Sequence, residues 1–150
     1  MLLAVSCASE TGVTTLATSL PETSTIPVSP FFDGDTATVA VGEERLVVAV
    51  ADTSAERSQG LRAALDLGGL DGMLFIHDAE GPVTYGMRDT LIPLDIWFID
   101  ALGTIVGTTE MEPCDSEPCP SYPSPSSVLR VLETELGRYD FSIGDSVSFD

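Results

Sequence analysis

YGMRDTLIPLDIWFIDALGTIVG, residues 85–107, is the most apolar stretch of the chain, and charged side chains interrupt it. Val83 to Arg88 has the composition of a strand. Leu91-Ile92-Pro93-Leu94 reads as a turn into the next one, because Pro93 cannot donate to a ladder and biases Ile92 towards extended backbone. Asp95 then opens the strand Ile96–Ile99, and Asp100 to Gly103 turns the chain back into a partner running from Thr104 to Met111. Asp95 is a carboxylate inside an otherwise apolar hairpin, and if buried it needs a partner, since an unpaired charge is costly in low dielectric. Arg88 and Arg57 are the candidates. The shortness of the Leu91 to Leu94 turn places Arg88 and Asp95 together at one end of the sheet, with Glu56 or Arg57 close by.

Upstream, Asp33-Gly34-Asp35 is a turn signal, and Thr36 to Val41 and Arg45 to Ala51 read as two strands joined across Gly42-Glu43-Glu44. Thr53 followed by Glu56 forms a capping box, which starts a helix from Ser54 to about Leu65. Ala55, Leu61, Ala64 and Leu65 are available for its buried side. Gly60 inside that helix costs ~1 kcal/mol relative to Ala and suggests close packing of another backbone. Gly72 to Ile76 reads as a short buried strand that His77 ends. A lone His at a strand end is more often a hydrogen-bonded or solvent-side residue than a metal ligand or catalyst.

Downstream, Glu112 to Ser127 carries five prolines and two cysteines, too much Pro for sheet, and reads as a long surface loop. Tyr122 and Ser124 are polar groups able to cover a site from it, although Tyr122 is as suited to packing. Val128 to Glu133 is a strand, Thr134 to Tyr139 a helical turn, and Ser142 to Asp145 a turn into Ser146–Phe149. Cys114 and Cys119 could supply half a zinc site, but only His77 and the distant Cys7 remain to complete one, so a disulfide is the better reading. Closing so short a loop restricts the unfolded chain by roughly 2 kcal/mol in the chain-entropy account.

The 150 residues, 43% apolar, suffice for one domain and a tail. Six basic residues against 24 acidic ones give a net charge of −18, which repels nucleic acid and bare anionic lipid; an acidic, well-solvated surface is the plain reading. Residues 1–8, MLLAVSCA, resemble the end of a lipoprotein signal with Cys7 as the lipidated residue, although the apolar run is short and no basic segment precedes it. Residues 9–30 are rich in Ser, Thr and Pro and read as a tether. The folded domain is expected at 31–150. No stretch approaches the ~18 to 20 apolar residues of a membrane span.

Four blocks carry a family likeness: Glu56-Arg57-Ser58-Gln59-Gly60-Leu61, Gly72-Met73-Leu74-Phe75, the 85–107 stretch, and Met111-Glu112-Pro113-Cys114 with Cys119-Pro120. In order and spacing they resemble the prokaryotic domain-of-unknown-function family 192 across about residues 45 to 150. Gly144-Asp145 adds to the match. The resemblance implies a fold more than an activity, and an extracytoplasmic setting, since the family often follows export signals. Where the family commonly has aromatic-Trp-Met-Lys-Asn-Thr, this chain has Tyr85-Gly86-Met87-Arg88-Asp89-Thr90. Met87 and Thr90 match and Arg88 keeps the charge. Gly86 removes a flat apolar wall, and Asp89 in place of Asn removes two donors.

Nucleotide-binding Gly-rich loops, the serine-hydrolase elbow, the zincin helix motif and calcium-loop spacing are absent from the sequence. The expected fold is α+β, mostly β: a small mixed barrel-like sheet with one principal helix and a disulfide-pinned loop. Glu56, Arg57, Arg88, Asp89, Thr90, Asp95 and Tyr122 are the binding candidates. The first functional reading is an extracytoplasmic binding or accessory domain, its pocket formed by the Arg88 to Asp95 segment and the disulfide loop, for a small polar ligand or carbohydrate. No metal or cofactor is implied. The domain is expected as a monomer, without nucleic acid, and touching the membrane only through the lipid anchor. The alternatives are a small hydrolase or lyase using Asp95 with Glu56 or Asp89, Arg88 stabilising negative charge, and a purely structural module in which these charges satisfy one another.

Overall fold

The computed structural model of the chain describes Phe32 and residues 34–150. The signal-like segment with Cys7 and the 9–30 tether lie outside the described residues. Among the described residues, nine strands and one helix follow in the order β1 (Thr36–Val41), β2 (Glu44–Ala51), α1 (Ser54–Gln59), β3 (Gly72–Gly81), β4 (Thr84–Gly86), β5 (Leu94–Ile99), β6 (Ile105–Met111), β7 (Ser121–Pro123), β8 (Val128–Glu135) and β9 (Val147–Phe149).

Seven strands form one sheet in the order β6-β5-β8-β3-β2-β1-β9, curled into a half-barrel, and β4 pairs with β7 in a separate two-stranded ribbon. All neighbours are antiparallel except β2 and β3, which run parallel. A parallel pair needs a crossover rather than a tight turn, and α1 with the Gly-rich connection after it supplies that crossover. The two edge strands meet at one end of the curl. There Thr104 bridges Ser146, and Val147 N–H donates to the Gly103 carbonyl at 2.7 Å. A β-carbon on Gly103, whose φ is +81°, would lie 2.7 Å from the Val147 carbonyl oxygen, so this closure requires glycine.

Strand alternation gives the sheet two apolar faces. All seven strands contribute to the cluster inside the curl, which includes Val39, Leu46, Leu74, Trp97, Ile105, Leu132 and Val147. Trp97 Nε1–H reaches Thr134 Oγ1 at 3.1 Å there, which satisfies both buried polar groups. The opposite face carries Ala49, Met73, Phe75, Leu94, Ile96, Phe98 and Val131, and is covered by Leu61 and Leu67 from the segment after α1 and by Met87 after β4.

Several elements differ from the sequence reading. The capping box forms as expected, with Glu56 N–H on Thr53 Oγ1 and the Glu56 carboxylate on the Thr53 N–H. However, α1 stops at Gln59, because Gly60 takes φ +48° and returns its N–H to the Glu56 carbonyl. A β-carbon added there would meet the Phe75 ring at 3.5 Å, a side chain rather than the backbone of another segment. Leu61 and Ala64 are buried as expected, in the turns that follow, whereas Ala55 and Leu65 are exposed. Strand β3 continues past His77 to Gly81. The Pro-rich loop does contribute sheet, since Ser121–Pro123 pairs with β4. Thr134 and Glu135 are strand rather than helical turn: Thr134 lies opposite both Gly72 and Asp95 in the middle of the sheet, where the ladder overrides local preference.

The loop is pinned twice. Cys114 and Cys119 form the expected disulfide, their Cα atoms 5.8 Å apart. Pro125 sits directly on the sheet over Gly107, where a β-carbon would come within 2.6 Å of the Pro125 ring.

Gly72 has the same role at the centre of the sheet, since a β-carbon there would lie 2.2 Å from the Glu133 carbonyl oxygen. The Gly72→Ala substitution therefore forces β3 and β8 apart and should destabilise the protein by roughly 3 kcal/mol, the upper end of overpacking costs. Gly81→Ala, with nothing within 4 Å of the added carbon, should change stability by less than about 0.5 kcal/mol. Urea unfolding of the two variants checks this.

Candidate functional site

The cover over the outer face is incomplete. Between α1 with its following turn on one side and β4 on the other, a cavity of about 480 Å³ opens onto β3 and β8. Phe75 and His77, two residues apart on β3 and so on one face, line it together with Glu133 of β8. Glu133 lies opposite Met73 in the ladder, so its side chain shares the outer face with Met73 and Phe75.

Glu133 is 4% exposed, and burial alone pushes its carboxyl up from the usual range to about 8. Among the described residues, no group hydrogen-bonds this carboxyl, and no oxygen of it is sealed from the cavity without a partner. His77, Tyr85 and Arg57 beside it are committed elsewhere. Tyr85 Oη and His77 Nε2 share a hydrogen bond of 3.0 Å, and the Tyr85 ring meets Phe75 edge to face with centroids 5.1 Å apart. Burial, then the nearby Glu133 carboxyl, raise the Tyr85 phenol. Burial and then the Arg57 charge lower His77, which keeps the imidazole neutral at pH 7. Arg57, with its side chain 16% exposed, donates to the carbonyls of Ile76 at 2.8 Å and of Asp52, and pairs with Asp78 at 3.3 Å. It staples α1 to β3 beside the cavity.

Of the seven residues expected at a site, Arg57 and Thr90 line this cavity. Thr90 is buried, its N–H held by the Met87 carbonyl at 3.1 Å. Glu56 serves the helix cap, and its carboxyl is held low by the Thr53 N–H, then the Thr53 hydroxyl, against a weaker effect of burial and with help from Asp52. Arg88 and Asp89 are exposed; Arg88 pairs with Glu117 at 3.1 Å and approaches Asp89 at 4.0 Å. Asp89 has φ +59°, a left-handed backbone that Asn and Asp tolerate better than other residues, which accounts for an Asx residue at this position. Tyr122 is half-buried opposite Tyr85 in the ribbon, and packs against the outer cluster.

The expected pairing of Asp95 with Arg88 or Arg57 does not form. Asp95 is buried, but it alternates with Leu94 and Ile96 and so points inside the curl, while Arg88 and Arg57 lie on the covered outer side. Its carboxylate accepts the Gly137 N–H at 2.8 Å instead and fastens the turn after β8. Asp95, Glu56, Asp89 and Arg88 therefore do not converge as an acid–base set. The Arg88 segment and the disulfide loop do meet, through Asp89 N–H on the Cys114 carbonyl at 3.2 Å and Cys114 N–H on the Met87 carbonyl at 3.3 Å, as a clamp rather than a pocket. Among the described residues, no three His, Cys, Asp or Glu side chains gather as for a metal ion.

A curled seven-stranded sheet with a capped crossover helix and a clamped loop defines the class of domain. Residues 37–149 match domain-of-unknown-function family 192, a family of uncharacterized ACR proteins, and the chain belongs to that family. Among curated proteins none matches. A protein from Sinorhizobium meliloti, described as a candidate transcription regulator, is 30% identical; the alignment covers 77% of this chain and 95% of that one, with a TM-score of 0.70. A protein of unknown function from Novosphingobium aromaticivorans is 32% identical over 75% of this chain and 83% of its own, with a TM-score of 0.65.

Glu133 has a measurable effect on stability. Its folded pKa lies above its unfolded one, so between about pH 4.5 and 8 the unfolded chain has lost a proton that the folded protein keeps. Stability then falls as pH rises, by roughly 1.4 kcal/mol per pH unit at most, and levels off above the folded pKa. Glu133→Gln removes this contribution. Compared with wild type, the variant should gain stability steadily between pH 5 and pH 8 in urea unfolding; a difference independent of pH would contradict the assignment.

Proposed function

We propose that this domain is an extracytoplasmic binding or accessory module that holds a small polar ligand or carbohydrate in the cavity over Glu133. It acts as a monomer, tethered through residues 9–30 to a lipid on Cys7. The observation that carries the binding reading is Glu133 itself: a buried carboxyl without a partner from the described residues, facing open space. Such a group lowers stability, so a purely structural module would be better served by an apolar residue there. A strongly perturbed acid in a concave site is a candidate functional position. The surrounding groups have the composition of a polar binding site, with an aromatic wall of Phe75 and Tyr85 and polar rims from Ser54, Ser58, Gln59 and Thr84.

The disulfide supports an oxidising compartment, where such bonds persist. No helix among the described residues is long and apolar enough to cross a membrane, and the lipid-anchored setting rests on residues 1–8. The Sinorhizobium protein's description brings transcription into view, but a net charge of −18 opposes DNA, whose binding draws its affinity chiefly from neutralised phosphates.

A thermal-shift screen of the full chain against sugars, small carboxylates, amines and amino acids tests the reading. At least one class should raise the melting temperature. Ser58→Trp, which places a ring at the cavity mouth from an exposed helical position, should abolish that response while leaving the unliganded melting temperature near wild type. Failure of every class, or a full response in Ser58→Trp, contradicts it.

A further inference from the structure

We propose that the group this cavity recognises is a protonated amine, seated on the Glu133 carboxylate. The inference rests on the binding reading above and specifies its chemistry.

Three of the polar side chains lining the cavity, His77, Tyr85 and Arg57, are engaged with partners other than Glu133. From β3, His77 is bonded to Tyr85 of β4, and the exposed Asp78 beyond it pairs with Nη2 of Arg57 of α1, whose Nη1 donates to two carbonyls. From β5 the outer face offers only Leu94, Ile96 and Phe98, which do not titrate. Arg62, in the turn after α1, is exposed and belongs to the cavity rim. Among the described residues none donates to the Glu133 carboxyl, so the ionised form takes its donor from a ligand. A hydroxyl brings one neutral bond and leaves the acid protonated. An ammonium brings charge as well as donors, and charge-assisted bonds in a low-dielectric site are about twice as strong as neutral ones. Tyr85 and Phe75 line the same cavity, and aromatic walls suit a cation. The surface field acts in the same direction, since a chain of net charge −18 concentrates cations and repels anions.

Binding is then coupled to one proton. Free Glu133 is a neutral acid at pH 7 and the ligand arrives already as R–NH3⁺. The Glu133 O–H bond breaks, its proton goes to the buffer, and the carboxylate accepts hydrogen bonds from the ammonium; no other bond changes. Affinity must consequently rise with pH until free Glu133 is itself ionised, by about tenfold per pH unit below that point.

Ethanolamine and ethylene glycol, which differ in one ammonium for one hydroxyl, are the probes. Each is titrated into the isotopically labelled full chain in phosphate buffer at pH 6 and pH 8, with amide shifts at Phe75, His77 and Glu133 reporting occupancy and the Glu133 side-chain carboxyl shift reporting ionisation. Ethanolamine should bind more than tenfold tighter at pH 8 than at pH 6, and at pH 7 it should move the Glu133 carboxyl resonance to the ionised position. Ethylene glycol should bind more weakly and without that trend. Glu133→Gln should lose the pH dependence; the carboxyl resonance of wild type serves as the readout if that variant does not fold. Glycol binding as tightly as ethanolamine, or ethanolamine binding without ionising Glu133, overturns the ammonium assignment and leaves the binding reading standing. If neither probe moves the cavity resonances, the ammonium assignment is also overturned, and the wider ligand screen decides the binding reading by itself.

Discussion

The close approach of the Glu133 carbonyl to Gly72 is the contact on which the sheet depends. Only a residue without a β-carbon permits it. With β3 and β8 held at that distance, the ladder Gly72–Thr134, Met73–Glu133, Leu74–Leu132 and Phe75–Val131 falls into register. Register decides which side chain faces which side, because a slip by one residue exchanges the two faces. In the observed register Leu74 and Leu132 enter the curl, while Met73, Phe75, Val131 and Glu133 face outward. A carboxyl is thereby placed among apolar neighbours on a surface that other elements must cover.

The cover is assembled from short pieces that could not hold their places alone. A six-residue helix is too short to be stable in water, so α1 relies on its capping box and on Arg57, which ties it to the Ile76 carbonyl. The β4–β7 ribbon is equally small, and the chain around it is fastened through Ser124, whose hydroxyl accepts the Val83 N–H and whose N–H donates to the Val83 carbonyl. The disulfide and the contact of Pro125 with Gly107 hold the remaining loop. Because these pieces reach Leu61 and Tyr85 from opposite sides without meeting over Glu133, a cavity remains between them.

Much of the fold was legible in the sequence because its signals are local. The hairpin from Thr36 to Ala51, the capping box, the apolar run after Pro93 and the cysteine pair each carry their own spacing. The site was less legible because it depends on pairing between distant strands. Asp95 attracted attention as a charge in an apolar run, yet its side chain faces the opposite side of the sheet from Arg88, a fact fixed by alternation against Leu94 and Ile96. Glu133 was passed over as the last residue of a strand. Extending that strand by two residues, to Glu135, places Glu133 in the middle of the sheet. The alternation of Val131 with Leu132 was the available signal, and it becomes informative only when Glu133 is read as internal. His77 and Tyr85 are unremarkable in sequence, and acquire their role from a hydrogen bond across eight residues.

The central claim is that Glu133 is a neutral acid at physiological pH, held so by burial under an incomplete cover. Titration of the glutamate side-chain carboxyl resonances by carbon NMR, with Glu133 assigned by its loss in Glu133→Gln, tests this most directly. The account predicts one glutamate whose carboxyl ionises with a midpoint of about 8, well separated from those at the surface. A Glu133 carboxyl that ionises near the ordinary glutamate value of about 4.3 would contradict it, and with it the argument that this cavity is a site.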